Sequence, residues 1–198
     1  WLIKPLEIVV CKILPEKKEE ESEFALKFIS AGMLSTGELS LLEAEKEIEL
    51  YTERTHRMFD EARKLTLATY NDKNAQKYAE RVAHYESASD QTENAIADYL
   101  YDIDATPIST DLKNKIRDYL YLTTEIESVA DRCYNISRSV VRRNSENINF
   151  TEEQNKKLNR MFDLIDKHIT ALEHCVKSNF TDEVARKEIF SIEEQVNE

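Results

Sequence analysis

Two glycines and three prolines are spread over 198 residues. Strands joined by tight turns draw on both residue types, so this shortage excludes a β-rich fold. The three cysteines, Cys11, Cys133 and Cys175, form no C-x-x-C and leave an odd count. That leaves no disulfide framework and points to reduced, buried thiols in a cytosolic protein. The Asn-x-Ser/Thr triplets at Asn135, Asn149 and Asn179 are then chance matches. No run approaches the roughly 18–20 apolar residues of a membrane span. The chain opens on Trp1 without a signal-peptide core and stops at Glu198 inside an amphipathic pattern with no C-cap signal, so it reads as a fragment. A glycine-rich phosphate loop, a standout Ser/His/Asp pattern and a paired Glu-x-x-His are all missing, and an enzyme reading is set aside. Basic residues are outnumbered, 27 Lys and Arg against 39 Asp and Glu, for a net charge of −12. Nucleic acid is therefore not expected as a partner, because phosphate binding needs clustered Lys and Arg. A cation or a basic protein surface fits this charge; so does plain solubility.

What is present is helix-forming. Charged residues make up 33% of the chain, and Glu, Lys, Leu, Ala and Arg dominate, which predicts an all-α fold. Residues 1–15 are the most apolar stretch, bounded by Pro5 and Pro15, with Trp1, Lys4 and Lys12 in interface-like positions. They read either as a juxtamembrane piece or as a segment that packs back on the domain. The run from Glu16 to Glu21 reads as a solvated connector.

Five helices follow. A Ser/Thr start signal at Ser35 and Thr36 opens a helix to about Thr69 with the stripe Leu41, Ala44, Ile48, Tyr51, Met58, Ala62 and Leu65. A second runs from about Asp72 to Asp102, its stripe weakened midway by Ser89 and Thr92. Ser109 to Asp111 cap a third, which reaches about Arg143 and carries Leu122, Ile126, Val129, Cys133, Ile136 and Val140. After the loop from Asn144 to Asn149, Thr151 caps a fourth with Leu158, Met161, Phe162, Ile165, Ile169, Leu172 and Val176. A turn at Ser178 to Thr181 leads to a fifth with Ala185, Ile189, Ile192 and Val196. The first helix is echoed by the fourth and the second by the fifth, an internal repeat of three helices whose second copy is incomplete.

Carboxylates stand at i and i+4 as Glu86/Asp90 on the second helix and Glu127/Asp131 on the third. On the fifth, Glu193 is followed by Asn197 instead of an acid. At about 100° per residue each pair flanks its stripe on the same hand, so an antiparallel pair of helices can turn both into one groove. A single such pair is a weak signal in a chain this acidic, and Glu45/Glu49, Glu49/Glu53 and Asp98/Asp102 read as solvated faces. The four histidines, His56, His84, His168 and His174, read as surface or packing residues.

The segment Glu127-Ser-Val-Ala-Asp131-Arg-Cys-Tyr-Asn135-Ile136 resembles the E-R-I-G-D-H-x-x-N-I signature of the PhoU family, with Ser128, Ala130 and Arg132 departing from it. Glu86-Ser-Ala-Ser-Asp90 resembles the family's second-helix motif, and Glu193-Glu-Gln-Val-Asn197 its counterpart in the second repeat. The likeness covers about residues 36–198. It implies a phosphate-uptake regulator built of two three-helix repeats, here residues 36–146 and a partial copy at 147–198. It also implies a multinuclear cluster of iron, zinc or another divalent ion held by Glu86, Asp90, Glu127, Asp131 and Glu193. The apolar start followed by a charged connector over residues 1–35 resembles the junction in bacterial Na⁺/phosphate cotransporter-related proteins. That implies a membrane transporter domain as partner, in the same chain or complex, at the cytoplasmic face of the inner membrane, and leaves room for a homo-oligomer. The competing expectation is a metal-free helical adaptor that acts only by protein–protein interaction.

Overall fold

The computed structural model describes residues 25–29 and 36–197, with side chains of the last helix described as far as Ile192. The readings of residues 1–15 and of the connector at 16–21 lie outside the described residues. Among those described there is no strand, and five helices account for the architecture: α1 (Gly37–Leu67), α2 (Ala75–Asp104), α3 (Thr110–Ser145), α4 (Glu152–Lys177) and α5 (Glu183–Asn197). Their starts follow local chemistry. Thr36, Ser109 and Thr151 each accept a hydrogen bond from the backbone N–H three residues on, and Gln154 completes a capping box with Thr151.

α1 is the hub. It packs against α2, α3 and α4, α2 packs against α3, and α5 packs on α4. The first three helices form a bundle; α4 docks antiparallel on a free side of α1 and carries α5 with it. The burial pattern records this. On α3 the buried residues are Ile116, Tyr119, Thr123, Ile126, Ala130, Cys133, Ser137 and Val140, an unbroken alternation of three and four. α2 continues the rule through Val82, Tyr85, Ser89, Thr92, Ile96, Tyr99 and Ile103. α1 buries that seam and also Ser40, Glu47, Arg54 and Glu61, spaced by seven, together with Thr52, Phe59 and Thr66. A helix contacted from three sides has little face left for water.

Three expectations are corrected here. The α3 stripe is rotated from the one inferred from large apolar residues: Ile136 is 39% exposed, while Ser137 beside it is buried. Small residues occupy the seam where backbones approach, and Thr123 satisfies its hydroxyl on the Tyr119 carbonyl at 2.8 Å. Ser89 and Thr92 do not weaken α2 either. Thr92 donates to the Ala88 carbonyl at 2.8 Å, and Ser89 meets the Tyr51 hydroxyl at 2.6 Å inside the bundle. On α4, Met161 is exposed, since the interface with α1 is made by Phe162 and Ile169 instead. Cys133 and Cys175 are free and buried as expected, and burial pushes the Cys133 thiol up to about 12.

Two charged groups fasten the chain to α1. Fully buried Glu47 accepts the backbone N–H groups of Lys27 and Phe28 at 2.8 and 2.7 Å. Arg54, two turns on, lies 3.8 Å from Glu47 and donates to the Ala25 carbonyl at 2.7 Å. Ile29 is thereby held in the core with Leu41, Ala44 and Ile48. At the other end, Arg143 donates to the Thr66 and Ala68 carbonyls at 3.0 and 2.8 Å and stacks 4.4 Å from the Phe150 ring centroid. It closes the C-terminus of α1, where carbonyls lack helical partners. Gly37 is required at the opposite end, because a Cβ there would stand 2.6 Å from the Ile108 side chain.

Glu47→Ala strands the Arg54 charge in the core and should cost about 3–5 kcal/mol in urea denaturation, with faster proteolysis near residues 25–29. Arg143→Ala should cost about 1.5–3 kcal/mol, and hydrogen exchange should quicken in the last turn of α1 before it does so elsewhere.

Candidate metal-binding carboxylates

Glu86 and Asp90 lie on α2, Glu127 and Asp131 on α3. In each pair the first acid is half-buried and the second exposed, as expected for residues flanking a heptad seam. The antiparallel packing of α2 and α3 puts the four in one electrostatic neighbourhood. Glu86 is raised above the ordinary carboxylate range by partial burial, then by Asp90 and by Asp131 across the groove. Glu127 is raised by burial, then by Asp131, Glu93, Asp90 and Glu86. Glu93 is a further member that motif reading did not single out; it accepts the Thr124 hydroxyl at 3.1 Å across the same groove. Beneath the acids, the Tyr51–Ser89 hydrogen bond forms the floor. Burial, more than the carboxylates of Glu93, Glu127 and Asp90, keeps Tyr51 protonated.

Glu193 stands apart. It falls on α5, beyond the last described side chain, and α5 packs on α4. The groove is thus a feature of the first three helices. All-oxygen donors suit hard or borderline divalent cations, and unrelieved like charge is what such an ion would neutralise.

The structure also draws out a cluster that the sequence analysis passes over. His56, on the α4-facing side of α1, is half-buried between Glu173, 2.9 Å from Nδ1, and Asp166, 2.9 Å from Nε2. Among the described residues, His56, Asp60 and Asp166 are the group whose ligand atoms all lie within 4.8 Å of one another. No three acids of the α2–α3 groove converge so closely. Two signals were legible. Glu53-Arg-Thr-His56 is a lone Glu-x-x-His, and His56-x-x-x-Asp60 places two donors one turn apart. What the sequence could not supply is the partner, since Asp166 and Glu173 arrive on α4 more than a hundred residues later. Of the other histidines, His84 and His174 are exposed and His168 is half-buried.

A scan against protein-family models matches the PhoU domain at residues 48–140. Over those residues the chain is similar to the PhoU domain. The match runs from α1 to near the end of α3, the helices that build the carboxylate groove. PhoU domains are regulatory bundles of phosphate transport. No curated protein and no solved structure matches the chain. Among the described residues, no helix is long and apolar enough to cross a membrane.

Glu127→Gln removes one of the crowded charges. A carboxyl whose pKa is raised by folding holds its proton better in the folded state, so its ionisation at higher pH costs stability. In chelator-treated protein the variant should therefore melt above the wild type at about pH 7, by a few tenths of a kcal/mol. The gain should vanish near about pH 4, where the wild-type carboxyl is protonated.

Proposed function

We propose that this chain is the PhoU-like regulatory domain of a Na⁺/phosphate cotransporter-type membrane protein, acting at the cytoplasmic face of a bacterial inner membrane. In this reading it has no catalytic role. Divalent metal held by Glu86, Asp90, Glu127 and Asp131 ties α2 to α3, with Glu193 contributing to a separate set on α5. The metal-loaded surface then meets the transporter part in the same chain or complex, or a second copy of the domain. The observation that carries the reading is that the PhoU match spans the helices on which partial burial and neighbouring acids raise Glu86 and Glu127 above the ordinary carboxylate range. The net charge of −12 is of the same kind, since a strongly acidic domain recruits cations or a basic surface.

A second reading has its own support. The groove acids do not bring three oxygens together, and a metal-free adaptor that binds a basic partner surface needs no such convergence.

Elemental analysis of the tag-free chain, purified from metal-supplemented medium beside Glu127→Ala/Asp131→Ala, separates them. Bound metal that falls by at least one equivalent in the double variant is the expected result. Equal metal content in the two proteins would leave the groove as an adaptor surface.

A further inference from the structure

We infer a second, distinct metal site at the α1–α4 interface, in which His56, Asp60 and Asp166 bind a divalent first-row transition ion and Glu173 orients the imidazole. The argument begins with proton counting. A neutral imidazole has one donor and one acceptor nitrogen. Here both ring nitrogens face a carboxylate oxygen at 2.9 Å. One nitrogen can donate its proton to one carboxylate; the other then turns a lone pair on a second carboxylate, unless an additional proton or a cation lies between them. Either would relieve the contact, and a third donor is already in place. Asp60, one turn from His56 on α1, brings its oxygen within 4.8 Å of both other ligand atoms.

The parts divide by role. Glu173 is only 17% exposed and holds Nδ1–H, which fixes the tautomer that leaves the Nε2 lone pair free. Nε2 faces Asp166, the more open of its two carboxylates at 40% exposure. Asp60 is exposed too. The cluster is therefore reachable from solvent and leaves coordination positions for water. One imidazole with two carboxylates is a borderline donor set, suited to Zn²⁺, Co²⁺ or Mn²⁺ in preference to Mg²⁺ or Ca²⁺.

The position gives the site a consequence that the α2–α3 groove lacks. His56 and Asp60 belong to the first repeat and Asp166 to the second, so the ion joins the two. Around it the same interface is held by Lys177 on Glu53 at 2.8 Å, by Arg63 on Asp163 and by the Phe59–Phe162 contact. A bound ion adds a cross-link to this seam and makes docking of the second repeat sensitive to metal supply.

Co²⁺ serves as the probe, because its visible absorption reports nitrogen and oxygen ligation. Tag-free, chelator-treated protein is titrated as wild type, His56→Gln, Asp60→Asn and Glu127→Ala/Asp131→Ala, each checked for helicity by circular dichroism. Asp60 is exposed and outside the core, so Asp60→Asn keeps the test open if His56→Gln perturbs packing. The inference expects a saturable visible band in the wild type and in the groove variant, with affinity reduced at least tenfold by Asp60→Asn and by His56→Gln. Glu173→Gln should weaken binding by about 10–100-fold while leaving the band shape, the mark of a residue that positions a ligand. Absence of a saturable band in the wild type would overturn the site. So would affinity that survives both His56→Gln and Asp60→Asn, or a band lost only in the groove variant.

Discussion

The structure depends on α1 being enclosed by three neighbours. Every other helix takes its place by packing on α1, directly for α2, α3 and α4 and through α4 for α5. A helix in that position cannot keep one apolar stripe and one wet face. It must present suitable side chains in nearly every direction, and α1 buries polar and charged residues among its apolar ones. Thr52 and Thr66 solve the problem locally by returning their hydroxyls to the carbonyls of Ile48 and Ala62 at 2.8 and 2.7 Å. Glu47, Arg54 and Tyr51 solve it by reaching other segments.

Buried polarity on α1 thus acts as specification. An apolar residue at 47 would pack, yet nothing would then hold the backbone of residues 27 and 28 by hydrogen bonds. The Tyr51–Ser89 bond fixes the register of α1 against α2, because shifting either helix by a residue separates the two hydroxyls. Tyr99 on Glu43 and Tyr119 on Glu45 repeat the device towards α2 and α3 at distances of 2.5 and 2.6 Å. Each uses an aromatic body for the core and a phenol for a partner at its edge.

The two acidic clusters differ in how their charge is met. On the α2–α3 groove, carboxylates face carboxylates, and partial burial, then this like charge, raises the proton affinity of Glu86 and Glu127. At the α1–α4 seam, an imidazole stands between the acids, and hydrogen bonds to both carboxylates outweigh partial burial to raise its pKa. The first invites a cation from outside; the second already holds a nitrogen ligand in place for one. Both sit between helices, where relative motion of packed elements would be felt first.

The sequence by itself determined the helices, the caps of α1, α3 and α4, and the helix order. Those depend on interactions within a few residues: the hydroxyls of Thr36, Ser109 and Thr151, the 3.6-residue period, and the near absence of glycine and proline. It also determined that Glu86, Asp90, Glu127 and Asp131 flank their seams on one hand, since angular position on a helix follows from spacing alone. Tertiary structure decided what spacing cannot express. Burial of Ser137 instead of Ile136 follows from how closely α3 approaches its neighbours. The clamp of Glu47 and Arg54 on residues 25–29 needs a backbone segment about twenty residues away to fold back. The meeting of His56 with Asp166 and Glu173 needs α4 to choose α1 as its partner, and long-range choices of that kind are made by the shapes of whole helix faces, which no local pattern contains.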